Sequence, residues 1–217
     1  MNRPLLQLAL DNTSMEDAIN SLQTGVDEVV DIIECGTILL CAEGRSAVKK
    51  IRELYLEKLV VADFKISDSG NVMSGLLLDY KPDFVTCNAS AHIGTIKAVI
   101  DEINKRGLNT KVQIELYGHW TNEDVKNWKE IGVKQLILHH SRDIKGGWSD
   151  EEITRAKELC DMGMEVTVTG SLEYEDIKRF KGIPIYCIIA GRSIRNATDP
   201  KAEAIKMIDT LKELWSW

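Results

Sequence analysis

The sequence predicts a single parallel (β/α)8 barrel, the α/β fold also called a TIM barrel. Short apolar runs rich in β-branched residues alternate eight times with longer amphipathic segments, which is typical of repeated strand–helix units. The chain has 217 residues, near the lower end for one such barrel. No linker or low-complexity segment interrupts the pattern, so we assign residues 1–217 to one domain.

The candidate strands are short, and polar residues lie at or just after most of their C-terminal ends. They are Leu5–Leu10, Val30–Glu34, Leu59–Asp63, Phe84–Cys87, Val112–Leu116, Gln135–His139, Glu165–Thr169 and Ile185–Ala190. The clearest helical patterns are Met15–Leu22, Ala47–Tyr55, Ile93–Arg106, Asn122–Ile131, Asp150–Met162 and Lys201–Trp215. Ser14 is the candidate N-cap of the first helix.

Composition narrows the classes of function. The formal net charge of −7 disfavours non-specific nucleic-acid binding, although a few local basic groups can still hold one phosphate. No apolar run reaches the length of a membrane span, and no secretory signal is evident. The five cysteines include no C-x-x-C pair. We therefore expect a soluble cytoplasmic protein that binds neither membrane nor nucleic acid.

Polar residues gather at the C-terminal ends of the predicted strands. In a (β/α)8 barrel these ends converge on one face, which is where the active site lies. The convergence predicts an enzyme more strongly than any single residue does. The residues are Asp11, Glu34, Asp63, Lys65, Glu115, His139, Arg142, Thr169, Gly191 and Arg192.

Asp63 and Lys65 form the sharpest motif. Alternation along a strand places both on one face, and each charge helps to keep the other ionised. Such a lysine can stabilise a developing enolate or carbanion. A surface salt bridge is the simpler interpretation of a generic D-x-K, but the preceding run Leu59-Val-Val-Ala62 is wholly apolar. Charges that emerge from a buried strand favour a functional role.

Glu34 and Asp63 end neighbouring predicted strands and offer hard oxygen ligands. Mg²⁺ suits such a pair because it needs few protein ligands and keeps several waters. The alternative is that Glu34 pairs with Lys65 and no metal binds. Spacing alone does not separate the two.

The loops after the last two predicted strands contain Gly170-Ser171 and Gly191-Arg192. Loops at these places in barrels often bind phosphate, and glycine lets the backbone approach a ligand closely. Arg192 can add charged hydrogen bonds. Two ordinary turns are the alternative.

At the end of the sixth strand, alternation allows at most one of His139 and His140 to point into the site, where a histidine can move a proton.

These residues resemble the orotidine 5'-monophosphate decarboxylase superfamily, and within it the 3-keto-L-gulonate 6-phosphate decarboxylases. The resemblance covers essentially the whole chain. The D-x-K-x-x-D motif of Asp63-Phe-Lys65-Ile-Ser-Asp68 marks the superfamily. Narrower matches are Leu-Gln-Leu-Ala-Leu-Asp11, Asp31-Ile-Ile-Glu34-Cys-Gly-Thr37, Gln113-Ile-Glu115-Leu, His139-His-Ser-Arg142-Asp143, Thr167-Val-Thr169-Gly170 and Ile189-Ala-Gly-Arg192-Ser-Ile194.

The resemblance implies a role for each matching residue. Glu34 and Asp63 would bind Mg²⁺, and Lys65 with Asp68 would support an enediolate, Asp68 reaching in from the second subunit of a homodimer. His139 and Arg142 would help to deliver a proton after CO2 leaves. Contacts to the phosphorylated sugar-acid substrate would come from Asp11, Glu115, Thr169, Gly170, Ser171, Gly191 and Arg192. The implied reaction converts 3-keto-L-gulonate 6-phosphate to L-xylulose 5-phosphate in L-ascorbate use.

Three alternatives remain open from the sequence. One is a 3-hexulose-6-phosphate synthase, an aldolase of the same superfamily that uses the same enediolate. The others are an epimerase-like barrel for ribulose phosphate and a non-catalytic module that binds sugar phosphates. Three departures from the family pattern put fine specificity in question, namely Phe64, His140 and Ser171.

Overall fold

Eight parallel strands form a closed barrel in the computed structural model, which describes residues 3–141, 143–144, 146–172 and 174–215. The strands are β1 (Leu5–Leu10), β2 (Ile32–Cys35), β3 (Leu59–Ile66), β4 (Phe84–Asn88), β5 (Lys111–Glu115), β6 (Gln135–His139), β7 (Glu165–Thr169) and β8 (Cys187–Ala190). Each strand pairs with the next along the chain, and β8 pairs with β1 to close the barrel. The predicted (β/α)8 fold is confirmed.

Helices surround the barrel. They are α1 (Met15–Leu22), α2 (Thr37–Glu43), α3 (Ser46–Leu54), α4 (Gly70–Leu78), α5 (Ile93–Lys105), α6 (Asn122–Glu130), α7 (Asp150–Asp161), α8 (Tyr174–Arg179), α9 (Arg192–Arg195) and α10 (Pro200–Leu214). The six predicted helices are present to within one residue at each end. Ser14 caps α1 as predicted, its hydroxyl accepting from the backbone N–H of Asp17. No described helix combines the length and the apolar character that a membrane span requires.

Side chains alternate between the lumen of the barrel and its helix-facing surface. On β1, Leu6 and Leu8 pack into the main hydrophobic core between strands and helices. Gln7 lies between them and faces the lumen, where its side-chain amide donates to Glu34. The same alternation on the other strands turns the polar residues of the strand ends toward the lumen.

The C-terminal end of β3 is irregular, and this irregularity positions Lys65. The register with β4 shifts between Ala62 and Ile66, and Lys65 has a φ of +51°. Positive φ is uncommon for a residue with a side chain. The Lys65 backbone N–H donates to the Thr86 hydroxyl at 2.8 Å, which helps to hold this conformation. Lys65 and Asp63 therefore meet as predicted, but through a bulge rather than through the regular alternation that the sequence suggested.

Candidate active site

A cleft at the C-terminal end of the barrel contains most of the predicted site residues. Its deep part lies in the lumen and has a volume of about 280 Å³. Its outer part lies against the loops after β7 and β8 and has a volume of about 430 Å³. The two parts are continuous because they share five lining residues, Ala9, Asp11, His139, Thr169 and Ile189.

Lys65 lies between two carboxylates in the deep part of the cleft. Its ammonium donates to Asp63 Oδ2 at 2.7 Å and Oδ1 at 2.9 Å, and it also donates to Glu115 Oε2. Burial lowers the pKa of Lys65, but the charges of Asp63 and Glu115 outweigh this effect and raise the pKa above its usual value. Lys65 is therefore a fixed positive charge at neutral pH.

Asp63 is almost fully enclosed by donors. It accepts from the Thr37 hydroxyl at 2.7 Å and from the Thr86 hydroxyl at 2.8 Å, in addition to Lys65. Burial raises the pKa of Asp63, but the Lys65 charge and these hydrogen bonds together lower it by more. The net pKa therefore lies below the usual value. Asp63 is thus held as a carboxylate inside the barrel.

Glu34 lies close to other carboxylates in the same part of the cleft. Burial, followed by the charges of Asp63 and Asp11, raises the pKa of Glu34 well above its usual value. Among the described residues, those that line the deep part carry four carboxyl groups and one ammonium group, that of Lys65. This excess of negative charge favours the binding of a cation.

The donor set at this position fits a hard divalent cation. Glu34 and Asp63 both line the deep part and both carry hard oxygen ligands. In the part of the chain that the structure describes, no group of three or more His, Cys, Asp or Glu side chains is arranged to hold a metal. A metal held here would take two protein ligands and leave its other positions to substrate and water, as Mg²⁺ commonly does.

Glu115 connects Lys65 to His139. One carboxylate oxygen accepts from Lys65, while the other lies 2.7 Å from His139 Nδ1. The Tyr117 hydroxyl lies 3.0 Å from the same ring nitrogen. Carboxylate, ammonium, imidazole and phenol thus form one connected group along the wall of the cleft.

The outer part of the cleft is built by the glycine-containing loops. Gly170 has a φ of +102°, and a Cβ there would lie 1.8 Å from the His140 carbonyl oxygen. The Trp148 indole N–H donates to the Gly170 carbonyl at 2.9 Å and fixes the loop from behind. Ser171, Gly191 and the exposed Arg192 line the same part of the cleft. The loops predicted to bind phosphate therefore face one another.

The remaining predicted residues lie elsewhere. His140 is buried away from the cleft with its Nδ1 2.8 Å from Glu152, so only His139 of the pair points inward, as alternation predicted. Asp68 is exposed on the loop after β3 and lines neither part of the cleft of its own chain. Arg142 lies outside the described residues.

Sequence reasoning missed several residues that line the cleft, namely Gln7, Thr37, Thr86, Tyr117, Ser193 and Asn196. A signal existed for Gln7 and Thr86, because alternation along β1 and β4 places both in the lumen. Tyr117 lies beyond the end of β5, where no periodicity indicates the direction of a side chain.

Comparisons with known proteins show which family the chain belongs to. Residues 4–207 match the model of the orotidine 5'-phosphate decarboxylase / HUMPS family. The chain is 44% identical to the Escherichia coli 3-keto-L-gulonate-6-phosphate decarboxylase UlaD, over 99% of this chain and 100% of that protein.

Two solved structures are also similar to this chain. KGPDC from Streptococcus mutans, solved in a complex, is 35% identical with a TM-score of 0.94, over 98% of this chain and 99% of its own. The 3-keto-L-gulonate-6-phosphate decarboxylase from Vibrio cholerae is 35% identical with a TM-score of 0.91, over 99% and 100% of the two chains. Because the family match spans nearly the whole barrel, the chain belongs to the orotidine 5'-phosphate decarboxylase / HUMPS family.

Proposed function

We propose that this protein is a Mg²⁺-dependent decarboxylase that converts 3-keto-L-gulonate 6-phosphate to L-xylulose 5-phosphate and CO2. The observation that carries the proposal is the charged Lys65, held between Asp63 and Glu115 in a cleft that widens toward two glycine loops. The full-length similarity to decarboxylases named for this substrate supports it.

The two parts of the cleft suggest how the substrate lies. Its phosphate would lie in the outer part, against the backbone of Gly170 and Gly191 and the guanidinium of Arg192. The sugar-acid end would then reach into the deep part, toward Lys65. Asp11 lines both parts, which suits a contact with sugar hydroxyls between the two ends.

Lys65 would stabilise the charge that decarboxylation creates. When the bond between the carboxyl carbon and its neighbour breaks, CO2 leaves. The electron pair stays on the neighbouring carbon and is shared with the adjacent ketone, which gives an enediolate. The Lys65 ammonium is already charged and held in place, so it stabilises this negative charge without having to move. Asp63 and Glu115 would serve to hold the ammonium in place.

His139 and Arg142 would deliver the proton that completes the product. The carbon that lost CO2 must gain one proton, which comes ultimately from water. Glu115 accepts at Nδ1 of His139, which leaves Nε2 as the nitrogen that can exchange a proton with an ordered water or with the substrate. This arrangement separates the group that stabilises charge from the group that supplies the proton.

Glu34 and Asp63 would hold Mg²⁺. When bound, the ion would act as a Lewis acid that polarises oxygen atoms of the substrate. The hard oxygen ligands and the excess of carboxylates in the deep part support this assignment.

A homodimer with shared sites would bring Asp68 into the cleft of a second copy. Asp68 is exposed, and α4 begins two residues later with two apolar side chains at its surface, Val72 at 58% and Leu76 at 43% exposure. Burying these side chains against a second copy would remove apolar surface from water.

The proposed location is the cytoplasm, where the five cysteines, all free thiols, would remain reduced.

The test is CO2 release from 3-keto-L-gulonate 6-phosphate, measured with Mg²⁺ and after exhaustive EDTA treatment. We expect turnover with Mg²⁺, near-complete loss with EDTA and recovery on adding Mg²⁺ back. Mg²⁺ affinity should fall in the Glu34→Gln, Asp63→Asn double variant when binding is measured without substrate. Full activity after EDTA treatment, or unchanged metal affinity in the double variant, would reject the metal assignment.

A further inference from the structure

We propose that Tyr117 is a positioning residue for the protonation step, and that it fixes the ring of His139 relative to the reacting carbon. This inference rests on the proposed function. It adds a residue that lies beyond the predicted motifs and gives it a role separate from charge stabilisation by Lys65.

Tyr117 contacts His139 through both its ring and its hydroxyl. The two ring centroids lie 4.9 Å apart with an angle of 38° between the planes. The hydroxyl lies 3.0 Å from Nδ1 and 3.5 Å from Nε2, which places it over one edge of the imidazole. Rotation of the His139 ring would therefore disturb both contacts.

Glu115 joins the two side chains into one unit. It lies 2.7 Å from His139 Nδ1, and its charge also acts on the neighbouring Tyr117 phenol. Burial, followed by the Glu115 charge, raises the pKa of Tyr117, so the phenol stays protonated and remains a donor. Two groups thus converge on Nδ1, and Nε2 becomes the nitrogen that can exchange a proton.

The Tyr117 ring also forms part of the wall of the cleft. The Lys65 ammonium lies 5.6 Å from the centroid of the Tyr117 ring. All three side chains line the deep part, and the Tyr117 ring lies near both Lys65 and His139. The His139 imidazole, fixed beside this ring by the contacts of the Tyr117 hydroxyl, would deliver its proton to one face of the enediolate, so loss of the hydroxyl should relax that selectivity.

The first experiment compares the wild type with Tyr117→Phe in D2O. Replacing the phenol with phenyl removes the hydroxyl and keeps the ring. We expect kcat to fall about tenfold, the size of a lost hydrogen bond to a charged group, with KM changed less than about twofold. Deuterium should enter one of the two product positions at the protonated carbon in the wild type, and both in the variant.

The matched control is Tyr55→Phe. The pKa of Tyr55 is also raised, by burial and by the neighbouring Asp27 carboxylate, but Tyr55 precedes β3 at the opposite end of the barrel. We expect kcat and deuterium stereochemistry to be unchanged in this variant. If Tyr117→Phe kept kcat and stereospecific labelling, or behaved like Tyr55→Phe, the positioning role would be wrong.

The second experiment needs no turnover. Long-range ¹H–¹⁵N spectra of the free protein report the tautomer and mobility of each of its four histidines, and His139→Gln assigns the His139 signals. We expect one sharp set of His139 signals in the wild type, with the proton on Nδ1, and broadened or doubled signals in Tyr117→Phe. Unchanged signals would overturn the inference. A wild type without decarboxylase activity would reject the proposed function, and the spectra would still test whether Tyr117 holds the ring.

Discussion

At the residue scale, two threonines in the lumen of the barrel differ in their hydrogen bonding. Thr86 is fully buried, donates to Asp63 at 2.8 Å and accepts from the Lys65 backbone N–H at 2.8 Å. Thr167 is also fully buried, but its hydroxyl has no hydrogen-bond partner among the described residues. The same substitution at the two positions should therefore have different consequences.

We expect Thr86→Val to lower the free energy of unfolding by about 1–3 kcal/mol, since a buried carboxylate and a buried N–H each lose a partner. Turnover should fall as well, because Asp63 and the bulge that carries Lys65 both rely on the hydroxyl. Thr167→Val, the control, should cost less than about 0.5 kcal/mol or stabilise the protein. Urea unfolding and steady-state kinetics measure both effects. Equal losses in the two variants would contradict this assignment.

At this scale, the charged residues that end apolar strands were easier to predict than the neutral residues Thr86 and Tyr117. Glu34, Asp63 and Lys65 could be identified because charge at the end of an apolar strand is unusual. For Thr86 the only signal was strand alternation, which is weak because threonine is common in strands for its own packing reasons. Tyr117 in a loop is equally ordinary, and only the three-dimensional contacts reveal its connection to His139.

At the element scale, the loop between β7 and α8 is fixed by close backbone contact. Gly170 lies against the carbonyl of His140, where a Cβ would be 1.8 Å from the oxygen. Gly132, between α6 and β6, also has positive φ, at +94°, but a Cβ there would meet no atom within 4 Å. Alanine substitutions at Gly132 and Gly170 therefore distinguish two effects on stability. Both introduce an unfavourable φ, but only the one at Gly170 adds a collision with the backbone.

Gly170→Ala should destabilise the protein more than Gly132→Ala, for which φ strain alone costs about 1–2 kcal/mol. Gly170→Ala should also raise KM for the sugar phosphate, because the displaced loop lines the outer part of the cleft. Gly132→Ala should leave KM unchanged. Thermal unfolding and steady-state kinetics of the two variants provide the comparison. Equal KM values would show that the loop does not contact the phosphate.

Elements were predicted well where their periodicity was strong. The longer helices have clear apolar and polar faces, and their bounds agree with the sequence patterns. The missed helices are α2, α4, α8 and α9, of which α2, α8 and α9 have seven residues or fewer. The sequence of α4, Gly-Asn-Val-Met-Ser-Gly-Leu-Leu-Leu, also has no continuous polar face. Contact with a second copy would explain the apolar surface of α4. Such a contact between chains cannot be predicted from the apolar periodicity of one sequence.

At the scale of the whole molecule, the barrel brings together side chains that are distant in sequence. Lys65 and Glu115 are 50 residues apart, yet they form one ion pair in the lumen. The number of strand–helix alternations was sufficient to predict this convergence. The proposed second subunit belongs to the same scale, because Asp68 is exposed and does not line the cleft of its own chain.

Hybrid dimers test the shared site. Lys65→Ala and Asp68→Ala should each be nearly inactive alone. When the two proteins exchange subunits freely, half of the dimers are mixed, and one of the two sites in each mixed dimer has both residues intact. Activity should therefore recover to about one quarter of the wild-type value. No recovery, with exchange confirmed by mass spectrometry, would show that Asp68 does not act across an interface.

The most direct measurement is the ratio of two activities in the unmodified enzyme, each expressed as kcat/KM. One is CO2 release from 3-keto-L-gulonate 6-phosphate, and the other is formation of hexulose 6-phosphate from formaldehyde and ribulose 5-phosphate. Both pass through an enediolate, so Lys65 cannot distinguish them. The group of Glu115, Tyr117 and His139 favours protonation of the carbon over its attack on an aldehyde. We predict that CO2 release is the more efficient reaction, and a higher kcat/KM for hexulose 6-phosphate formation would contradict the proposed function.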